Sequence, residues 1–132
     1  MIGVVLVSHG RGAPAMLEAV ERVVGPLPAV TTVSIDPTES GDQVAAHIES
    51  AAHTLDLEQG VVFLVDLGGS TPFHACCHAC SGNSAIVSGM NLPMLFKLAT
   101  ADRSGTPASL ATELAATGQK SILVTRRGAP WP

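Results

Sequence analysis

The chain has 132 residues, of which 46% are hydrophobic, 14% charged and only 3% aromatic, with a formal net charge of −4. Such a composition supports a packed core and excludes a disordered chain, while the negative charge argues against nonspecific contacts to nucleic-acid phosphates. The opening apolar run is six residues long and no stretch reaches 18. Both fall short of a signal peptide or a membrane span, so a soluble, cytoplasmic protein is expected.

Apolar runs alternate with helical patterns along the chain. Residues 2–7 read as a buried strand ended by Ser8-His9-Gly10. Residues 13–24 follow a helical period that predicts Met16, Leu17, Val20, Val23 and Val24 inward, and Gly25-Pro26 stops them. A half-buried strand at 30–35 turns at Asp36-Pro37 into a helix over 40–55, with Val44, Ala45, Ile48, Ala52 and Leu55 facing in. The clearest strand covers 60–66 and runs into Leu67-Gly68-Gly69-Ser70-Thr71, before a helix beginning at Pro72. A short strand at 84–89, helices at 92–101 and 106–117, and a last strand at 121–125 complete the pattern. One domain over residues 1–126 and a C-terminal tail over 127–132 are expected.

This alternation predicts an α/β fold: an open, doubly wound, mostly parallel sheet with helices on both faces. With strands in the order 2-1-3-4, ligands collect where strand order reverses, beyond the C-terminal ends of strands one and three. Those ends deliver Ser8-His9-Gly10-Arg11-Gly12 and Asp66-Leu67-Gly68-Gly69-Ser70-Thr71 to one crevice. Imidazole titrates near neutrality and is a nucleophile when unprotonated. A carboxylate on one ring nitrogen sets the tautomer and leaves the other nitrogen free. Glycines let backbone N–H groups approach phosphoryl oxygens, and Ser70 or Thr71 can donate to a transferring group. These residue types suit a site for phosphate, metal or nucleotide alike.

Three segments narrow the choice: Ser8-His9-Gly10 after an apolar strand, VVFLVDLGGSTPFHA at 61–75, and SGMNLPML at 88–95. In order and spacing the chain resembles the IIA proteins of the mannose–fructose–sorbose phosphotransferase family over nearly its whole length. The resemblance implies that His9 is phosphorylated by the small carrier HPr and passes the group to a IIB partner, the membrane permease being served indirectly. It implies that Asp66 orients the His9 ring and that Thr71 helps to stabilise the transferring group, with Gly10, Gly68, Gly69 and Ser70 around the phosphoryl oxygens. Ser70 departs from the family pattern, standing where glycine is common, and His74 stands where Asn or Arg is frequent. The resemblance also implies four parallel strands plus a fifth, antiparallel edge strand, here 121–125, exchanged between the subunits of a homodimer. No cofactor and no sugar pocket are expected, because a IIA protein meets the sugar only through its partners.

Other readings compete. His74 and His78, like Cys76 and Cys80, are four residues apart and share a helix face, but one continuous helix is a poor zinc site, and no metal is expected there. Three cysteines confined to Cys76–Cys80 do not form a disulfide framework, which agrees with a reducing compartment. A small tetrapyrrole metal chelatase would use His9 as a metal ligand, which accounts for Ser8–Gly12 but not for Asp66–Phe73 or Asn91–Leu95. A flavodoxin-like binding module would lack aromatics to stack a flavin. Related IIA-like proteins feed a dihydroxyacetone kinase or a regulatory partner; the Pro-Phe and Asn-Leu-Pro segments favour the sugar-transport branch.

Overall fold

A computed structural model describes residues 1–55, 58–79, 82–128 and 130. Its elements run β1 (Gly3–His9), α1 (Gly12–Val24), β2 (Val30–Ile35), α2 (Gly41–His53), β3 (Val61–Val65), α3 (Thr71–Ala79), β4 (Ser84–Ser88), α4 (Leu92–Lys97) and α5 (Pro107–Lys120). The four strands form one sheet in the order β2-β1-β3-β4. Every neighbouring pair is parallel. This is the expected α/β architecture.

Side-chain alternation along the central strands splits the interior into two layers. On one face Ile2, Val4 and Leu6 join Val62 and Leu64 beneath α1, α4 and α5, with Val20, Met94, Leu95, Leu110 and Leu114. On the other, Val5, Val7, Phe63 and Val65 meet α2 and α3 through Val44, Ile48, Ala75 and Cys76. Both central strands are thus covered on both faces, which explains why they read as continuous apolar runs. Two helices begin with capping boxes. Ser40 and Gln43 form a capping box on α2, and Thr106 with Ser109 does the same on α5, where Pro107 takes the first turn.

Three expectations change. Val23 and Val24 are 72% and 40% exposed. The buried stripe of α1 is Ala13 and Val20, with Met16 and Leu17 packed at its edge, so the last turn of the helix lies past the sheet it covers. Helix α4 stops at Lys97, short of 101, and α5 continues to Lys120 rather than 117. Gly118 permits that continuation, since a Cβ there would stand 2.8 Å from both Cγ and Sδ of Met94.

The third concerns 121–125, which forms no strand in the single chain. A strand exists only through a hydrogen-bonded neighbour, and these residues pair with no strand of their own chain. Ile122, Leu123 and Val124 stand 75%, 55% and 92% exposed as a result. Cys80, the last member of the His74–Cys80 run, and residues 129, 131 and 132 of the expected tail lie outside the described residues. Among the described residues, no helix is long and apolar enough to cross a membrane.

Candidate functional site

The C-terminal ends of β1 and β3 lie side by side, Val7 in register with Val65. The Asp66 N–H donates to the Val7 carbonyl at 3.1 Å, extending the ladder by one bond and setting the Asp66 side chain beside His9. The carboxylate then holds His9 at two points. Its Oδ2 accepts the His9 backbone N–H at 2.9 Å. Ring Nδ1 lies 3.0 Å from Oδ2 and 3.2 Å from Oδ1. A carboxylate only accepts, so Nδ1 is the protonated nitrogen, and in the neutral ring Nε2 carries the lone pair. The His9 side chain is 52% exposed and that of Asp66 29%. The His9 ring is therefore half-exposed, with the Asp66 carboxylate on its Nδ1 side.

The residues around this pair are more constrained than their sequence suggests. Gly10 adopts φ +59°, a left-handed conformation that favours glycine. Its N–H donates to the Ile35 carbonyl at 2.9 Å, so this amide is engaged by β2. Gly68 lies against β4, where a Cβ would be 2.9 Å from Ser88 Oγ and 3.3 Å from Ser88 Cβ. Gly69 turns the chain at φ +76°. The Ser70 hydroxyl donates to the Leu67 carbonyl at 2.6 Å and accepts from the Phe73 N–H at 3.3 Å. Ser70 thus closes the turn and caps α3.

Thr71 opens α3 and lines a cleft of about 450 Å³ between α2 and α3, with Gly41, Asp42, Ala45, His74 and His78. Its hydroxyl makes no hydrogen bond to His9 or Asp66 among the described residues. Of the sequence-derived set, the fold joins His9 to Asp66 directly and sets Gly10, Gly68, Gly69 and Ser70 as the turns that carry them. Also among the described residues, no three His, Cys, Asp or Glu side chains gather as a metal site.

Sequence reasoning missed Ser8 and Arg103. Ser8 is 1% exposed, and its hydroxyl bonds to Ala13 and Gly10 beneath the His9 loop. Arg103, 5% exposed, sits at the opposite end of the sheet. Its guanidinium donates to the carbonyls of Ile2, Pro28 and Ala29, and burial draws its pKa down. A lone Arg in a polar stretch carries no sequence signal for such a role. Ser8 carried one: a hydroxyl residue closing an apolar strand just before a helix.

Comparison with known proteins fits this geometry. A sequence model of the EIIA-man family, described as the PTS system fructose IIA component, matches residues 3–114. The chain belongs to the EIIA-man family. The sorbose-specific EIIA component of Lacticaseibacillus casei is 31% identical over 102 residues, covering 73% of this chain and 70% of that protein. The mannose-specific EIIAB component of Escherichia coli strain K12 is 28% identical over 140 residues, covering 99% of this chain. This EIIA-man chain spans 43% of the length of that relative. In fold it is similar to the mannose/sorbose-specific IIA subunit from Enterococcus faecalis, with a TM-score of 0.87, 24% identity and coverage of 99% and 98% of the two chains. The PTS IIA protein associated with a fucose utilization operon of Streptococcus pneumoniae gives a TM-score of 0.78 at 26% identity, covering 92% of this chain and 91% of that one. EIIA-man membership assigns a general phosphotransfer role in a sugar phosphotransferase system. It does not favour a tetrapyrrole chelatase or a donor to a dihydroxyacetone kinase.

Proposed function

We propose that this protein is a phosphohistidine carrier that receives a phosphoryl group from HPr on Nε2 of His9 and passes it to a IIB component. The observation that carries the reading is the Asp66 carboxylate 3.0 Å from His9 Nδ1. With Nδ1–H directed at a carboxylate, Nε2 is the nucleophile. As the Nε2–phosphorus bond forms, the bond from phosphorus to the donor breaks and the ring gains positive charge. Asp66 offsets that charge without taking the proton. The same arrangement serves the onward step in reverse, because the ring then leaves as the neutral Nδ1–H tautomer. Gly10, Gly68, Gly69 and Ser70 surround the transferring group together with the start of α3 at Thr71, and the Thr71 hydroxyl is a side-chain donor to it.

The transferring group sits on an open rim rather than in a closed pocket, as a protein-to-protein handover requires. The proposed unit is residues 1–126, working in the cytoplasm and serving a membrane permease only through IIB. It acts as a homodimer in which residues 121–125 of each chain add an antiparallel strand to the partner. Two features support the dimer: the exposed Ile122, Leu123 and Val124, and a β4 that lies at the edge of the sheet among the described residues. An edge strand near an exposed apolar segment is a ready template for strand addition.

The test is incubation with phosphoenolpyruvate, enzyme I and HPr, followed by assay for an acid-labile, base-stable phosphoryl adduct. One adduct per chain that disappears in His9→Ala is the expected result. No adduct on the wild type, or an undiminished one in His9→Ala, overturns the reading.

A further inference from the structure

Along β1 successive side chains alternate between faces, so His9 and Ser8 point to opposite sides of the sheet end. Ser8 follows Ile2, Val4 and Leu6 on the face covered by α1 and is 1% exposed. A buried hydroxyl needs partners, and this one has two. It accepts the Ala13 N–H at 2.7 Å and donates to the Gly10 carbonyl at 3.1 Å. One atom therefore closes the loop from Ser8 to Ala13 across its base.

Accounting for the backbone groups of that loop shows what the hydroxyl controls. The His9 N–H goes to Asp66, the Gly10 N–H to Ile35, and the Arg11 carbonyl accepts from Ala15. Among the described residues, the Gly10 carbonyl and the Ala13 N–H are held only by Ser8 Oγ. Arg11, the residue before α1, provides no side-chain cap, and Pro14 has no N–H to offer. Ser8 thus acts as the N-terminal cap of α1 from outside the usual capping position. Gly12 packs beneath it: a Cβ there would stand at ordinary contact distance, 3.4 Å from Ser8 Cβ and 3.5 Å from Oγ. Without this anchor Gly10, lacking a Cβ and already at φ +59°, is free to reorient its peptide plane.

We infer that Ser8 is a positioning residue: its buried hydroxyl locks the Gly10–Ala13 turn so that His9 stays in register with Asp66. The consequence for transfer rests on the phosphocarrier reading above; the consequence for the ring does not. Loss of the lock loosens the Nδ1–carboxylate contact, and the tautomer drifts toward the Nε2–H form that free imidazole side chains favour. That form has no lone pair where the phosphoryl group must arrive. A misplaced nucleophile is costly, and displacements of this kind reduce rates by about 10- to 100-fold.

The experiment compares wild type, Ser8→Ala, Ser8→Thr and Ile48→Val, the last a core change in α2, remote from the loop, that lowers stability. Nitrogen-15 NMR of the His9 ring reports the tautomer, and phosphoryl uptake from HPr is measured with separate kcat and KM. In wild type Nδ1 is protonated. In Ser8→Ala the signal shifts toward Nε2–H and kcat falls about 10-fold or more, with KM for HPr little changed. Ser8→Thr, which keeps the hydroxyl, restores both, and Ile48→Val changes neither. Should Ser8→Ala be too unstable to purify, Ser8→Cys, with only a weak thiol donor and acceptor, gives the same comparison. A wild-type tautomer in the Ser8 variant, or equal slowing in Ile48→Val, overturns the inference. If the wild type accepts no phosphoryl group, the carrier reading fails, while the tautomer comparison still decides the role of Ser8.

Discussion

Asp66 Oδ2 is shared between the backbone N–H of His9, at 2.9 Å, and ring Nδ1 of the same residue, at 3.0 Å. One carboxylate thus fixes both where the histidine sits and which of its nitrogens is available. Replacing it separates the two effects. Asp66→Asn retains an oxygen for the backbone N–H but loses the charge behind the ring, whereas Asp66→Ala loses both. Phosphoryl uptake is expected to fall about 100-fold in Asp66→Ala and by less in Asp66→Asn. Melting temperature should change little, because the pair is solvent-facing. Wild-type transfer rates in Asp66→Ala would refute the assigned role.

The Gly68–Ser88 approach ties the site turn to β4. In Gly68→Ala the new methyl meets Ser88 Oγ at 2.9 Å and Cβ at 3.3 Å. Rotation of the hydroxyl relieves the first clash but not the second, so the turn must shift. The expected cost is about 1–2 kcal/mol, together with slower uptake. Ser88→Gly removes both clashing atoms, and the double variant should recover stability, read as coupling in a double-mutant cycle of chemical denaturation. Strictly additive effects would show that the contact does not constrain the turn.

Arg103 anchors the opposite end of the sheet. Arg103 is 5% exposed, and its guanidinium donates to carbonyls that precede β1 and β2, among them that of Ala29, a non-glycine residue at φ +53°. Arg103→Met withdraws a donor from each of those carbonyls, although Ala29 keeps the Val4 N–H, at a cost of roughly 2 kcal/mol. Arg103→Lys should recover only part of it, because an ammonium cannot span three acceptors as a planar fork does. Thermal unfolding measures the difference. The His9 tautomer should be unaffected in both variants.

Residues 121–125 test the dimer. Truncation after Lys120 removes the exposed Ile122, Leu123 and Val124, and sedimentation should then report a monomer where the full chain is a dimer. Ile122→Asp should act in the same direction. A full-length chain that sediments as a monomer at tens of micromolar would remove the basis for strand exchange.

Asp36, in the turn after β2, accepts from the Thr38 backbone N–H and hydroxyl. Those two bonds hold its pKa below the ordinary aspartate value. A depressed carboxylate pKa means that the stabilisation is present above the unfolded-state value and is lost as pH falls through the folded one. Thr38→Val keeps the backbone bond and removes the hydroxyl, so NMR titration should find the Asp36 pKa raised toward the ordinary value. An unchanged pKa would mean that the hydroxyl contributes nothing.

The amino-acid pattern alone determined the alternation of strands and helices, because apolar runs and helical periods are local signals. It also brought His9 and Asp66 to neighbouring strand ends, since parallel strands in this fold class must place their C-terminal ends on one edge. Boundaries and faces were less legible. Val23 and Val24 continue the apolar period of α1 yet face solvent, because a helix buries only what the sheet reaches. Tertiary structure decided the rest. Ser8, Arg103 and Ser70 act through hydroxyl or guanidinium bonds to backbone carbonyls and amides, and every residue supplies those groups, so no side-chain pattern marks the partner. The fate of 121–125 lay further from view. Its composition is that of a strand, but a strand requires a neighbour, and among the described residues it pairs with none.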